Sequence, residues 1–184
     1  MVRLTLLAAL LVACGSSSAA PPVVTLEPVT IEGWPALPWP PAGIGFRALL
    51  DLHRQLDELP AAEGVAWARD VHAPWIERRA ELLAHAGEAR RELRRGPAQE
   101  IPLGAAIHGA LLSRTADQLE DVDLRALPPE AAAAVRAPVV DLRQRASAAF
   151  QVCADELHSP ELDAWRRACL TRQRALSAGL PRDP

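Results

Sequence analysis

The 184-residue chain has no tyrosine, two phenylalanines and one methionine, and all 20 of its basic residues are arginine. Aromatic residues make up 4% of it, and β-branched residues are sparse beside its many alanines. Alanine and arginine favour helices, whereas strands are filled by the residue types that are scarce here, so an all-β sandwich or barrel is excluded. The net charge of −3 excludes a generally basic nucleic-acid binder, and no nucleic-acid partner is expected. The histidines, His53, His72, His85, His108 and His158, form no HxxxH or HExxH pair, and the cysteines lack CxxC spacing, so no metal site is expected. Gly43-Ile44-Gly45 follows no strand pattern and lacks the third glycine of a phosphate loop. Glu120 to Asp123 lacks the alternating oxygen ligands and glycine of a calcium loop. No pair of titratable groups stands at catalytic spacing, so no catalytic residue is assigned and no cofactor is implied.

Hydrophobic residues reach 49%, enough to bury a core in one domain. Part of that hydrophobicity sits in an N-terminal segment. Met1-Val2-Arg3 is followed by an apolar run from Leu4 to Ala13, about half the ~20 residues a bilayer-spanning helix needs, which is the pattern of a signal sequence. The run ends Leu11-Val12-Ala13-Cys14-Gly15 and resembles the lipobox of bacterial lipoproteins. That resemblance implies a signal peptide over residues 1–13 and a diacylated Cys14 as the first residue of the mature chain. The acyl chains supply a membrane partner through apolar burial. Gly15 replaces the aspartate that retains such proteins at the inner membrane in enteric bacteria, which favours the periplasmic face of the outer membrane.

Residues 14–43 read as the lipidated cysteine and a Pro-rich tether. Seven prolines between Pro21 and Pro41 prevent a persistent helix or interior strand. Fully extended, the segment reaches up to about 90 Å. Trp34 and Trp39 lie among these prolines. They fit either a recognition segment for a partner or a fold-back that caps the core; the second is favoured, because exposed tryptophan is costly.

From residue 44 to 180 the pattern is helical and predicts five to six helices in an antiparallel array, either a bundle or a short solenoid. Phe46, Leu49, Leu50, His53 and Leu56 make one stripe, ended by Leu59-Pro60. Glu63 to His72 starts another, which Ala73-Pro74-Trp75 interrupts or kinks. Trp75, Leu82, Ala86, Ala89 and Leu93 share a face, and Gly96-Pro97 closes that helix. A third helix covers Leu103 to Val122, with Ala105, His108, Leu112, Thr115 and Leu119 on one face. A fourth begins near Pro129, is disturbed at Pro138, and carries Val139, Leu142, Ala146, Ala149, Cys153 and Leu157. Ser159-Pro160-Glu161 starts the last, with Leu162, Trp165, Cys169 and Leu176 facing inward to Gly179. His53 and His108 are expected to be hydrogen-bonded core or boundary residues.

The order of Trp67, Pro74-Trp75, Pro128-Pro129, Ala146-x3-Phe150-x2-Cys153 and Trp165-x3-Cys169 resembles the C-terminal region of myxobacterial periplasmic tetratricopeptide-repeat-like proteins. It covers about Val65 to Ala178, implies a scaffold role, and carries over no catalytic residue. No 34-residue period recurs, and small residues at Ala133, Ala134 and Ala137 stand where that repeat expects large ones.

With Cys14 lipidated, Cys153 and Cys169 remain as an even pair in an oxidising compartment and are read as a disulfide, with two buried thiols as the alternative. The bridge would close a loop of about 17 residues and contribute on the order of 3 kcal/mol. An axial offset near ~6 Å brings the pairing close to the limit of the allowed Cα separation. Arg90, Arg91, Arg94 and Arg95 end a helix, where they complement its dipole or, alternatively, meet an anionic partner or lipid head group. The function expected is a lipid-anchored, non-enzymatic scaffold that binds an envelope protein. The alternative is a carrier holding an apolar ligand between helices, with Trp67, Trp75 and Trp165 lining its cavity.

Overall fold

The computed structural model describes residues 31–60 and 72–179. The signal segment, Cys14, Trp67 and all but the last residue of the stretch expected as helical from Glu63 to His72 lie outside the described residues. What is described is all-helical, with α1 Ile44–Glu58, α2 His72–Leu93, α3 Glu100–Glu120, α4 Pro129–Glu156 and α5 Asp163–Gly179. Short 3-10 turns at Leu124–Ala126 and Pro160–Leu162 lead into α4 and α5. Each helix packs on the next in sequence, and α3 also packs on α1.

Prolines mark helix starts here more than they break helices. Pro74 stands in the first turn of α2 as described, Pro102 in the first turn of α3, and Pro129 opens α4, where the missing N–H would be unpaired in any case. Pro138 was expected to disturb the fourth helix, yet α4 runs through it to Glu156. The carbonyl it leaves without an i+4 donor is that of Ala134, an exposed residue, so water can satisfy it.

The centre of the fold is α3. Every residue from Pro102 to Leu112 is buried, together with Glu100, Thr115, Ala116 and Leu119. A single inward stripe was expected; instead the helix is enclosed nearly all round, as a helix apolar on every face must be. Small residues make this possible. Gly109 has the Phe150 ring 2.9 Å from where a Cβ would stand. On α1 the buried face is Phe46, Leu49, Leu52 and Leu56, so Leu52 takes the place expected for Leu50, which is half-buried.

Residues 31–43, expected as the end of a tether, lie against the helices. Leu37 is 3% exposed, and Ile31, Trp34 and Trp39 pack on the same core. Ile31 accepts from the Trp34 N–H at 2.9 Å, closing a turn in which Gly33 takes φ +72°, a value glycine adopts without strain. The segment is fastened by Glu100, itself 1% exposed. Its two carboxylate oxygens accept from the backbone N–H groups of Ala42 at 2.7 Å and Gly43 at 2.9 Å. Gly43 is the N-cap of α1, so the buried carboxylate also sits at the positive end of that helix. The two glycines of the Gly43-Ile44-Gly45 run are explained by close approach. A Cβ on Gly43 would lie 2.3 Å from the Glu100 Oε2, and one on Gly45 would lie 2.6 Å from the Ala89 carbonyl oxygen of α2.

Two other polar side chains are buried among the helices. Arg79 is 2% exposed and stacks 3.4 Å over Trp75. It donates from Nε to Gln118 Oε1 at 2.8 Å, from Nη1 to the Trp75 carbonyl at 3.2 Å and from Nη2 to the Pro60 carbonyl at 3.1 Å. Burial lowers its pKa to about 10, so it stays charged at neutral pH. His108 is 2% exposed, and among the described residues neither ring nitrogen has a hydrogen-bond partner, contrary to the bonded core histidine expected. Burial, then Arg90 and Arg145, lowers its pKa to about 4.

Two outcomes follow. Glu100→Ala leaves the buried Gly43 N–H and the part-buried Ala42 N–H unpaired and is expected to cost on the order of 2–3 kcal/mol in denaturant unfolding, with faster hydrogen exchange at both. For His108 the folded pKa lies below the unfolded value of about 6.5, so the unfolded chain takes up the proton first as the solution is acidified. Stability is then full above about pH 6.5 and falls towards about pH 4, by up to about 3 kcal/mol. The charged groups lining the cavity beside the ring are Arg90 and Arg91 of α2, Arg94 of the turn after it, and Arg145 and Glu156 of α4. Unfolding midpoints measured from pH 7 to 4 should show this slope, and His108→Leu should remove most of it.

Candidate functional site

The principal groove has a volume of about 620 Å³ and opens between residues 32–34, α1, α3, α4 and α5. Its floor is apolar: Phe150 is buried, Trp34 lies 6.1 Å from it between ring centroids, and Leu176 is half-buried. Trp34 in turn stacks on the buried Trp165 at 4.8 Å and 19°. The guanidinium of Arg172 lies over the Trp34 ring, 4.5 Å from its centroid, and donates from Nη2 to the Gly33 carbonyl at 2.7 Å. Trp34 thus contacts both the Trp165 ring and the Arg172 cation.

The walls are charged in matched sets. Asp57 Oδ1 lies 3.0 Å from Arg114 Nε, and its Oδ2 lies 3.4 Å from His53 Nδ1. Arg143 spans Asp117 at 3.3 Å and Glu120 at 2.5 Å. Burial lowers the His53 pKa; Asp57 opposes the shift, while Arg114 and Arg172 add to it. Burial also lowers that of Arg172. Ser113, His53 and Asp57 line the same groove, but among the described residues no hydrogen bond joins Ser113 to His53, and they do not form a linked nucleophile and base. Among the described residues no group of three or more His, Cys, Asp or Glu is placed to hold a metal ion.

The residues singled out in the sequence do not converge on one site. Trp34 lies in the groove, whereas Trp39 packs on the core with its Nε1 buried and unpartnered. Helix α2 ends at Leu93, so Arg94 and Arg95 lie in the following turn. Arg91 and Arg95 approach Glu88 at 3.9 Å and Glu92 at 2.5 Å, one turn away on the same strand of chain, while Arg90 and Arg94 border a second groove with His108. Cys153 and Cys169 are both fully buried, with Cα atoms 6.2 Å apart and sulfurs at disulfide distance, 2.06 Å. The expected axial offset does not keep them apart: the Cα separation stays within the range a disulfide spans.

Arg114, Arg143 and Arg172 were not singled out in the sequence. Arg172 left a trace. The apolar positions of α5 run Trp165, Cys169, Leu176, and the skipped position is Arg172. The same gap stands between Trp75 and Leu82, and Arg79 fills it. In both helices the missing member of the stripe is an arginine lying on a tryptophan. Comparison of the chain with protein-family models, curated proteins and solved structures returned no match.

Alkylation tests the cysteine pair. Denatured, unreduced domain should leave Cys153 and Cys169 unlabelled by iodoacetamide, and both should label after reduction. Replacing both with alanine should cost on the order of 3 kcal/mol. Labelling without reduction would show free thiols.

Proposed function

We propose that this chain is a lipid-anchored component of the bacterial cell envelope, held at Cys14 on the periplasmic face of the outer membrane, and that it serves as a non-enzymatic scaffold. Its groove takes a segment of a partner protein. The observation that carries this reading is the open surface formed by Trp34 and Arg172 beside Arg114 and Arg143. Tryptophan and arginine are the residues on which protein contacts concentrate binding energy. A partner segment of mixed charge would exchange with the ion pairs of Arg114 and Arg143 while lying against Arg172 and the part of Trp34 left exposed.

The lipobox resemblance supports anchorage, and no helix among the described residues is long and apolar enough to cross a membrane. Acyl chains on Cys14 would therefore do the holding. Cys153 and Cys169 at disulfide distance suit an oxidising compartment. A carrier cavity between the tryptophans has less support. Trp75 is 4% exposed beneath Arg79, and Trp165 is 1% exposed beneath Trp34, so both rings are already covered.

A photo-crosslinking amino acid at Ala175, which is exposed on the groove, is compared with one at the exposed Ala133 of α4, away from it. In intact envelopes the Ala175 position should give a discrete protein adduct that Trp34→Ala abolishes, and the Ala133 position should not. Equal adducts from both positions, or none, would overturn the scaffold reading. Cys14→Ala should move the chain from the membrane to the soluble fraction; retention would overturn the anchor.

A further inference from the structure

A second groove, of about 530 Å³, lies between α2, the start of α3 and α4, and shares no residue with the first. Arg90, Arg91 and Arg94 border it from α2 and its following turn, Arg145 and Glu156 from α4, and His108 from α3. Arg91 and Arg145 have carboxylate partners, Glu88 at 3.9 Å and Asp141 at 3.2 Å. Arg90 and Arg94 form no ion pair among the described residues. Beside them His108, 2% exposed, holds both ring nitrogens buried with nothing among the described residues to bond. A buried polar side chain without a partner carries an uncompensated desolvation cost. At this position the cost falls on the wall of a cavity whose surrounding charge is positive.

We propose that this groove binds a phosphate-type oxyanion, with the guanidinium groups of Arg90 and Arg94 and one N–H of His108 donating to its oxygens. Guanidinium forks match phosphate oxygens in geometry and charge, and a neutral imidazole supplies one further donor. With Arg91 and Arg145 paired to Glu88 and Asp141, Arg90 and Arg94 against Glu156 leave the groove net positive, and Glu156 on α4 favours an anion held on the α2 side. The apolar side chains of Leu93 and Val152 on the same walls accommodate a phosphate carried on an apolar body as well as the free ion. The site is independent of the scaffold groove and stands or falls separately.

The test uses the full chain labelled at histidine and followed by imidazole NMR. Inorganic phosphate should shift the His108 signals saturably, where chloride at equal ionic strength does not. Sulfate, whose charge is constant over the range, should raise the His108 pKa by about one unit. Flotation with phosphatidylglycerol vesicles, against phosphatidylcholine vesicles, reads the lipid head group as the source of the phosphate. The combined variant Arg90→Gln, Arg94→Gln should weaken whichever response is seen at least tenfold, with the helical circular dichroism unchanged. A response to free phosphate identifies the soluble ion, and one confined to phosphatidylglycerol identifies a lipid. No response to either probe, or a response that the double variant leaves intact, overturns the proposal.

Discussion

A helix enclosed on nearly every side sets the terms for the rest of this protein. For α3 to be buried from Pro102 to Leu112, its neighbours must approach it from several directions at once, and few large side chains can lie between. Glycine and alanine satisfy that demand at Gly104, Ala105, Ala106, Gly109 and Ala110, and the absence of side-chain bulk there is what lets Phe150 and Leu93 fill the spaces. The polar groups that remain on such a helix must then be bonded within the fold. Thr115 donates to the Leu111 carbonyl at 2.8 Å, and Glu100 accepts two backbone N–H groups from the segment before α1. His108 alone of these has nothing to bond among the described residues, and it borders a cavity.

The class of fold was legible because helical periodicity is a local property. The stripes of α2, α4 and α5 marked the buried faces nearly residue by residue, and Pro129 marked the start of α4. The enclosure of α3 was less visible, although the uncharged run from Ile101 to Ser113 carried the signal: a helix with no polar face has nowhere to meet water. The route of residues 31–43 depends on contacts across the chain, Trp34 with Trp165 and Gly43 with Glu100, and no local pattern specifies those.

The grooves show the same division. Arginine on an apolar stripe reads as an interruption when residues are counted one by one. In the folded chain Arg79 and Arg172 occupy the skipped positions by laying the guanidinium plane on an indole and directing its N–H groups to carbonyls. A planar cation with apolar faces can serve as a packing residue where an ammonium would not. This gives physical content to an all-arginine basic complement in a protein short of aromatics, since each arginine stacked on a ring extends the reach of a tryptophan.

The fastening of residues 31–43 has a mechanical consequence. Tension applied from the N-terminal side would meet these contacts in series: first the Gly33 turn held by Arg172, then the stacked Trp34 ring, then Leu37, and last the paired bonds from Ala42 and Gly43 to Glu100. Each would release a few residues of slack before the next took the load. The segment would act as a graded shock absorber, and α1 would feel the pull only after Glu100 had let go.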